Sequence, residues 1–549
     1  MSIGIAGRKG RSPGKRQSST VARMPAPHKG VDDRIPFAAG APEVCVYSFN
    51  LVPSDGGIGL RKGFREYQIE VDNGAGISVN TILPFAGVAA DGSEDRLFVV
   101  TNEGIWDVTT AEGTPILKEA FSDQSADAGY GVFTAYVTDA GAKVMLYADS
   151  LNGLFTYDVA TDAWAQASGI TGPTITDINF IAIHKARIWL VEKDATKAWY
   201  LDPGAISGPA VEFFFGSKFK EGGALRGLFS WTVDGGRGVS DLFVAVSSAG
   251  DVVVYEGTDP SSADTWSITG VYFIGNLPKG PKFGTEQGGE LYLLSTYGVI
   301  GMTDLLNGVA VASAQQSNAS ARIAGLLRER LARESNLNGW AIRNIPPEGG
   351  ILISAPVETS TRSIQYFYNV TVNGWGFWRD LDIYSFNTWQ NAVVFGDGGL
   401  RVLLMDQERD EVRITPESEA PFNGQPIDFA TLTSFSSLDA PSVYKRVKYI
   451  RPDIIGVAQP NFAAAARYDY ILSEPGIPLA VLNVQAPGAW DVADWDQAVW
   501  GVDVIQGFDS VYGGWGIGRS VAVAYRGESY YSFTLVGWDI IYDAGGPML

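Results

Sequence analysis

The chain has 549 residues, 46% apolar and 19% charged, a balance that excludes global disorder and leaves ample material for a core. Its 41 basic and 61 acidic residues give a formal charge of −20, which argues against a body that grips nucleic acid. With one cysteine, Cys45, and two histidines, His28 and His184, an internal disulfide framework and a zinc constellation are excluded.

In chain order, a basic segment comes first. Residues 1–30 carry Arg8, Lys9, Arg11, Lys15, Arg16, Arg23 and Lys29 and no acidic group, leaving the remainder with 34 basic and 61 acidic residues, a formal −27. This reads as an extended basic N-terminal arm over 1–45, either docking on something acidic or serving as a sorting signal. The apolar "SIGIAG" is too short for a secretory h-region and precedes its basic groups. No run nears the ~20 apolar residues of a spanning helix, so a soluble chain without a membrane span is expected.

Next is "NLVPSDGGIGLRKGFREYQ", from Asn50 to Gln68. No helical pattern follows Gly63, which rules out a phosphate cradle at a helix start. Instead Tyr67, Ile69 and Val71 alternate with Glu66, Gln68 and Glu70, as on a strand. Arg61, Lys62 and Arg65 then form the polar lead-in to that strand. With Arg8, Lys9, Arg11, Lys15 and Arg16 they are the expected subunit-docking residues.

From residue 96 a theme recurs: an apolar strand, a small or polar turn, a second apolar or aromatic strand. Examples are "RLFVVTNEGIWDVT" at Arg96, "KVMLYADSLNGLFTYDV" at Lys143 and "DLFVAVSSAGDVVVYEG" at Asp241. Seven such hairpins start 42 to 60 residues apart, the interval of propeller blades, with the hairpin expected to be the inner part of each blade. The fold class is therefore all-β: a β-propeller of about seven blades over 46–414. Meandering antiparallel sheets that close no ring are the competing arrangement. The blade count turns on Phe121–Thr138 and Phe213–Val233, each of which can hide strands. Trp-Asp pairs at Trp106, Trp490, Trp495 and Trp538 do not fall once per unit, so this is no WD repeat.

A helical insertion is expected near 315–335, where Ile323, Leu326, Leu327 and Leu331 form an apolar stripe. Arg322, Arg328, Glu329, Arg330, Arg333 and Glu334 are assigned to its outer, solvated face, the alternative being an interface or lumen element in an oligomer. After residue 415 polar and apolar residues alternate, and tryptophans (Trp490, Trp495, Trp500, Trp515, Trp538) gather. This predicts a C-terminal β-sandwich-like domain over 415–549, with the large aromatics as core.

Chemistry is sparse. There is no G-x-S-x-G, H-E-x-x-H or G-K-[ST] motif, and "GWGIGRS" at Gly514 lacks the spacing and surroundings of a dinucleotide loop. Asp491, Asp494 and Asp496 lack the glycine and glutamate of a calcium loop. A propeller glycosidase needs paired carboxylates ~5–9.5 Å apart, and no pair stands out. No catalytic residue, metal or cofactor is therefore expected, and the chain is read as no enzyme.

The opening of the chain sets out Pro25, Pro27, Gly30 and Val31, then Asn50 and Pro53, then Arg61, Gly63 and Phe64. In that order they resemble the opening of the tail nozzle (packaged-DNA stabilisation, tail-tube) proteins of short-tailed bacteriophages, with Lys62 where proline is frequent in that family. "VNGWGFWRDLDIYSFNTWQNAVVFGDGG" resembles the family's tryptophan strand and Phe-Gly-Asp-Gly hairpin. "SVYKRVKYIRPDI" supplies Lys445, Arg451 and Pro452, and "GWDIIYDAGGPML" ends with Tyr542, Gly545 and Gly546. The first 20 residues look like an addition. The resemblance implies a homo-hexameric ring in the virion tail, made in the host cytoplasm. Such a ring docks to an adaptor and to tail fibre or plug proteins, and genomic DNA passes through without specific binding. An acidic lumen wall is expected to let DNA slide; Arg or Lys lining its narrowest ring would overturn that. The alternative is a glycan-binding propeller or depolymerase.

Overall fold

The computed structural model describes residues 19–34, 40–72, 76–87, 89–234, 239–307, 319–356, 363–413, 424–476 and 506–545. Within them the chain is all-β, a seven-bladed propeller joined to a β-sandwich.

The blades follow one another along the chain. Blades one to four are four-stranded antiparallel sheets, spanning Thr81–Ala120, Gly131–Gln166, Ile178–Phe214 and Leu225–Phe273. Blade five has three strands between Gly284 and Gly301. Blade six comprises the four strands from Ala341 to Arg379. In blade seven, three strands from Ser385 to Gln407 are completed by a strand from the start of the chain. The first strands of the blades follow one another around the ring, that of blade four meeting blade five at its second strand and, through Phe229, at Gly284, and that of blade seven returns to that of blade one, so the ring closes.

The apolar hairpins read from the sequence are the second and third strands of the blades, not the innermost. The inner strands precede them, and include Gly131–Val137 and Leu225–Asp234 from the two ambiguous stretches. Middle strands are covered on both faces by neighbouring blades, so Phe98, Val244 and Val253 are fully buried and their sequences run continuously apolar.

The N-terminal strands are woven through both bodies. β1 (Thr20–Pro25) pairs antiparallel with the last strand (Phe533–Ala544), Thr20 opposite Tyr542. β2 (Cys45–Phe49) joins blade six on one side and the sandwich strand Ile427–Thr433 on the other. One eight-stranded sheet thus runs from the propeller into the sandwich. β3 (Leu51–Ser54) and β4 (Gly57–Leu60) extend the opposite sheet through the last strand, and β5 (Gly63–Gln68) closes blade seven. The expected extended arm over 1–45 therefore includes a paired strand at 20–25, and residues 51–60 belong to the sandwich rather than the propeller. Both follow from available edges: an unpaired strand edge is satisfied by whichever segment reaches it.

The sandwich core contains Leu51, Ile58, Val447, Ile450, Tyr525, Trp538 and Ile540, drawn from both sheets. Trp538 is fully buried, but Trp515 is 88% exposed and is not core. Trp490, Trp495 and Trp500 lie outside the described residues.

The expected helix forms over Ala324–Glu334, preceded by a 3-10 turn at Ala321–Ile323, and lies against blade five's third strand. Ile323, Leu327 and Leu331 are buried, whereas Leu326 is 40% exposed. Arg330 and Glu334 are buried too, correcting their assignment to the solvated face. They pair with each other, Arg330 Nη2 donates to Pro356 O (2.8 Å), and Glu334 O accepts from Trp340 Nε1 (2.9 Å). Mutual neutralisation lets both charges enter the core.

Candidate functional site

Segments far apart in the sequence meet at a joint between propeller and sandwich. Its centre is Asn50, between β2 and β3, at φ 58°, a left-handed conformation that asparagine tolerates better than most residues. Asn50 N–H donates to Phe377 O (2.7 Å), and its Nδ2 donates to Asp428 O (2.7 Å) and Arg379 O (3.3 Å). Its Oδ1 accepts from Arg379 N–H (2.9 Å) and Arg61 Nε (3.0 Å). One side chain thus links blade six, the sandwich and the β4–β5 connection.

Arg61 is 3% exposed and holds Asp410 through both terminal nitrogens, at 2.7 and 2.6 Å. That is the bidentate fork geometry of arginine and carboxylate. Lys62 pairs with Glu348 at 2.9 Å and Arg65 with Asp406 at 2.9 Å. Of the residues expected to dock a neighbour, these three are engaged within the chain, clamping β5 onto blades six and seven. For Arg61 burial overturns the expectation. Arg8, Lys9, Arg11, Lys15 and Arg16 lie outside the described residues. Ile69, expected on one strand face with Tyr67 and Val71, is 56% exposed because β5 ends at Gln68, while Tyr67 and Val71 are buried.

Close packing explains the glycines of the same segments. Gly30 has φ +66°, and a Cβ there would lie 2.1 Å from Trp375 O; Val31 N–H donates to that oxygen at 2.9 Å. A Cβ on Gly376 would meet Leu51 O at 2.5 Å and one on Gly374 would meet Pro53 Cβ at 2.9 Å. Beside the joint, Arg379 lies over the Phe49 ring at 4.8 Å and pairs with Asp428 and Glu474. Sequence reasoning missed Arg379, Asp410 and Asp428, since their partners lie far away along the chain.

The second feature is the propeller channel. At one mouth Asp127, Lys193, Asp194, Arg226 and Lys279 face a cavity of about 270 Å³. Asp127 accepts from Lys279 Nζ (2.9 Å) and Asn338 Nδ2 (2.6 Å). Deeper, a cavity of about 280 Å³ is walled by Phe133, Ile181, Ile183 and Phe229 and carries Lys282, Arg343 and Glu286. His184, at the end of blade three's inner strand, is 2% exposed, its Nδ1 2.9 Å from Ser230 Oγ. Burial pushes its pKa down to about 4, so it is neutral at pH 7. Among the described residues no cluster of three His, Cys, Asp or Glu could hold a metal, and no helix is long and apolar enough to cross a membrane.

No protein-family model matches the chain, and no curated protein matches it. Solved structures do. The Pan2 WD40 domain of Neurospora crassa is 11% identical at a TM-score of 0.36, covering 64% of this chain and 96% of that one. BBS1N in complex with ARL6DN is 10% identical at a TM-score of 0.36, covering 62% and 98%. The computationally designed Ika8 protein is 9% identical at a TM-score of 0.34, covering 62% and 99%.

Proposed function

We propose that this chain is a structural protein of a short-tailed phage virion, the nozzle at the distal end of the tail tube. Copies assemble as a homo-hexameric ring, head to tail, by cyclic symmetry. The ring docks to the adaptor and to fibre or plug proteins, and genomic DNA passes along its lumen without specific binding. The chain's role in this reading is mechanical, not enzymatic.

One observation carries the reading. The short segments resembling nozzle proteins are far apart in sequence, yet two sets of them meet at the propeller–sandwich joint, Gly30 on Trp375 and Asn50 on Arg61 and Arg379, while the strand containing Lys445 and Arg451 pairs with the strand containing Tyr542 inside the sandwich. A tube subunit under the pressure of packaged DNA must not hinge between its bodies. A sheet continuous across the joint and a saturated asparagine at its centre supply that stiffness. The net charge of −20 suits a lumen that phosphates slide past.

Negative-stain imaging of the purified chain and of virions tests the reading. The expected result is a sixfold ring, on the isolated chain or at the tail tip. A monomer that degrades host polysaccharide would overturn it in favour of a depolymerase.

A further inference from the structure

The propeller channel holds two cations, Lys282 and Arg343, that form no ion pair among the described residues. Lys282, just ahead of blade five, donates from Nζ to two neutral acceptors, Asn80 O (2.9 Å) and Thr81 Oγ1 (2.8 Å). An ammonium has a third donor. Arg343, on the inner strand of blade six, donates from Nη1 to Asn387 Oδ1 (2.9 Å), and its guanidinium lies 5.2 Å from the Phe133 ring centroid. Most of its five N–H donors are left over. The fully buried arginines behave differently: Arg61 pairs with Asp410, Arg330 with Glu334, and Arg379 with Asp428. Lys282 and Arg343 are half-buried instead, and both line the cavity, so their spare donors are open to an anion that enters it. Glu286, the carboxylate on the same cavity, forms no ion pair with either cation among the described residues.

We propose that the propeller channel is a binding site for a compact oxyanion, a carboxylate or phosphoryl-type group held between Lys282 and Arg343. The ligand's apolar part lies against Phe133 and Phe229, on the cavity wall. Arg226 at the mouth, whose Nη2 donates to Gly280 O (3.0 Å), draws the anion in. A cavity of about 280 Å³ stands at the lower end of small-ligand pockets, and is far too small for a nucleic-acid strand. The site lies within one chain, so it stands or falls independently of the ring.

The charges around the cavity make binding pH-dependent. Burial, then the charge of Arg343, lowers Lys282 to about 7, against a smaller opposing pull from Asp149. Burial likewise lowers Arg343 to about 10, while Glu286 is raised by burial and by Asp241. An anion favours the charged amine, so complex formation takes up a proton above pH 7, and affinity falls as pH rises.

Calorimetric titration with sulfate, whose charge is constant between pH 6 and 9, and with malonate tests the site, with chloride at matched ionic strength as reference. Wild-type protein is expected to bind at least one of the two saturably at one site, at least tenfold more tightly at pH 6 than at pH 9. Arg343→Gln and Lys282→Met are expected to lose tenfold or more. Which anion binds better distinguishes a tetrahedral from a planar ligand. No saturable heat, a flat pH profile, or equal binding by folded variants overturns the proposal. The wild-type pH profile decides the matter should a variant fail to fold.

Discussion

At the scale of single residues, the chain uses burial and pairing to settle charges that exposure would leave idle. Exposed ion pairs such as Arg23 with Asp453 are worth ~0–1 kcal/mol, whereas Arg61 and Arg379 are almost wholly enclosed. His184 is the opposite case, a titratable group kept neutral. Its pKa is about 4 in the fold and 6.5 without it, so between these values the unfolded chain binds the additional proton. The stability gained from neutral burial is therefore complete above pH 6.5 and is lost as pH falls towards 4. At 1.36 kcal/mol per pKa unit the loss is about 3 kcal/mol. Denaturant unfolding at pH 7.5 and pH 4 should show wild type losing about 3 kcal/mol more than His184→Gln over that interval. Equal losses would mean that the imidazole titrates normally.

Elements show where packing leaves no slack. β5 is held in blade seven by a bulged ladder to Val402–Gln407 and runs so close to its neighbour that a Cβ on Gly63 would lie 2.1 Å from Arg409 O. Gly63→Ala must push backbone apart, and overpacking of this kind costs ~1–3 kcal/mol. Gly56→Ala is the control, with nothing within 4 Å of its Cβ and an expected change within ~0.5 kcal/mol. Comparable thermal midpoints for the two variants would refute the closure by β5. The elements also explain what the sequence disclosed. Middle hairpins were legible because burial on both faces makes them uniformly apolar, as at Val252–Val254. Inner strands such as Gly131–Val137 were not, because a strand bordering the channel is only partly covered and mixes Thr134 and the exposed Ala135 with Phe133 and Tyr136. Arg330 and Glu334 looked solvated because a helical stripe assigns charge outward, and nothing local reports a partner such as Pro356. The joint at Asn50 was visible only as a resemblance. Its bonds to Arg379 and Asp428 span 329 and 378 positions, and such pairings leave no periodic trace.

For the molecule as a whole, the question is what the basic N-terminus does. Thr20–Pro25 is structural, since it covers the edge of the last strand and buries Met24 in the sandwich core. Residues 1–18 lie outside the described residues. Removing 1–25 should lower the melting temperature by several degrees relative to removing 1–18 alone, and favour aggregation through the bared edge. Calorimetry of the two truncations separates the roles. On the proposed nozzle reading, tails assembled from the shorter truncation and lacking no component would argue against docking by Arg8, Lys9, Arg11, Lys15 and Arg16.

The pairing of Thr20 with Tyr542 also fixes the order of events during synthesis. At roughly 5–20 residues per second, the ribosome needs about half a minute to two minutes to deliver the last strand after the first. Through that interval β1 has no partner, and blade seven cannot be clasped by β5 until residues near 407 have emerged. The propeller cannot finish blade by blade as it is made. The strands Thr20–Pro25, Cys45–Phe49, Leu51–Ser54 and Gly57–Leu60 must wait as an open end, then be threaded into sheets that are almost complete. A nascent chain stalled before residue 533 should thus be a client for chaperones, with its beginning waiting for its end.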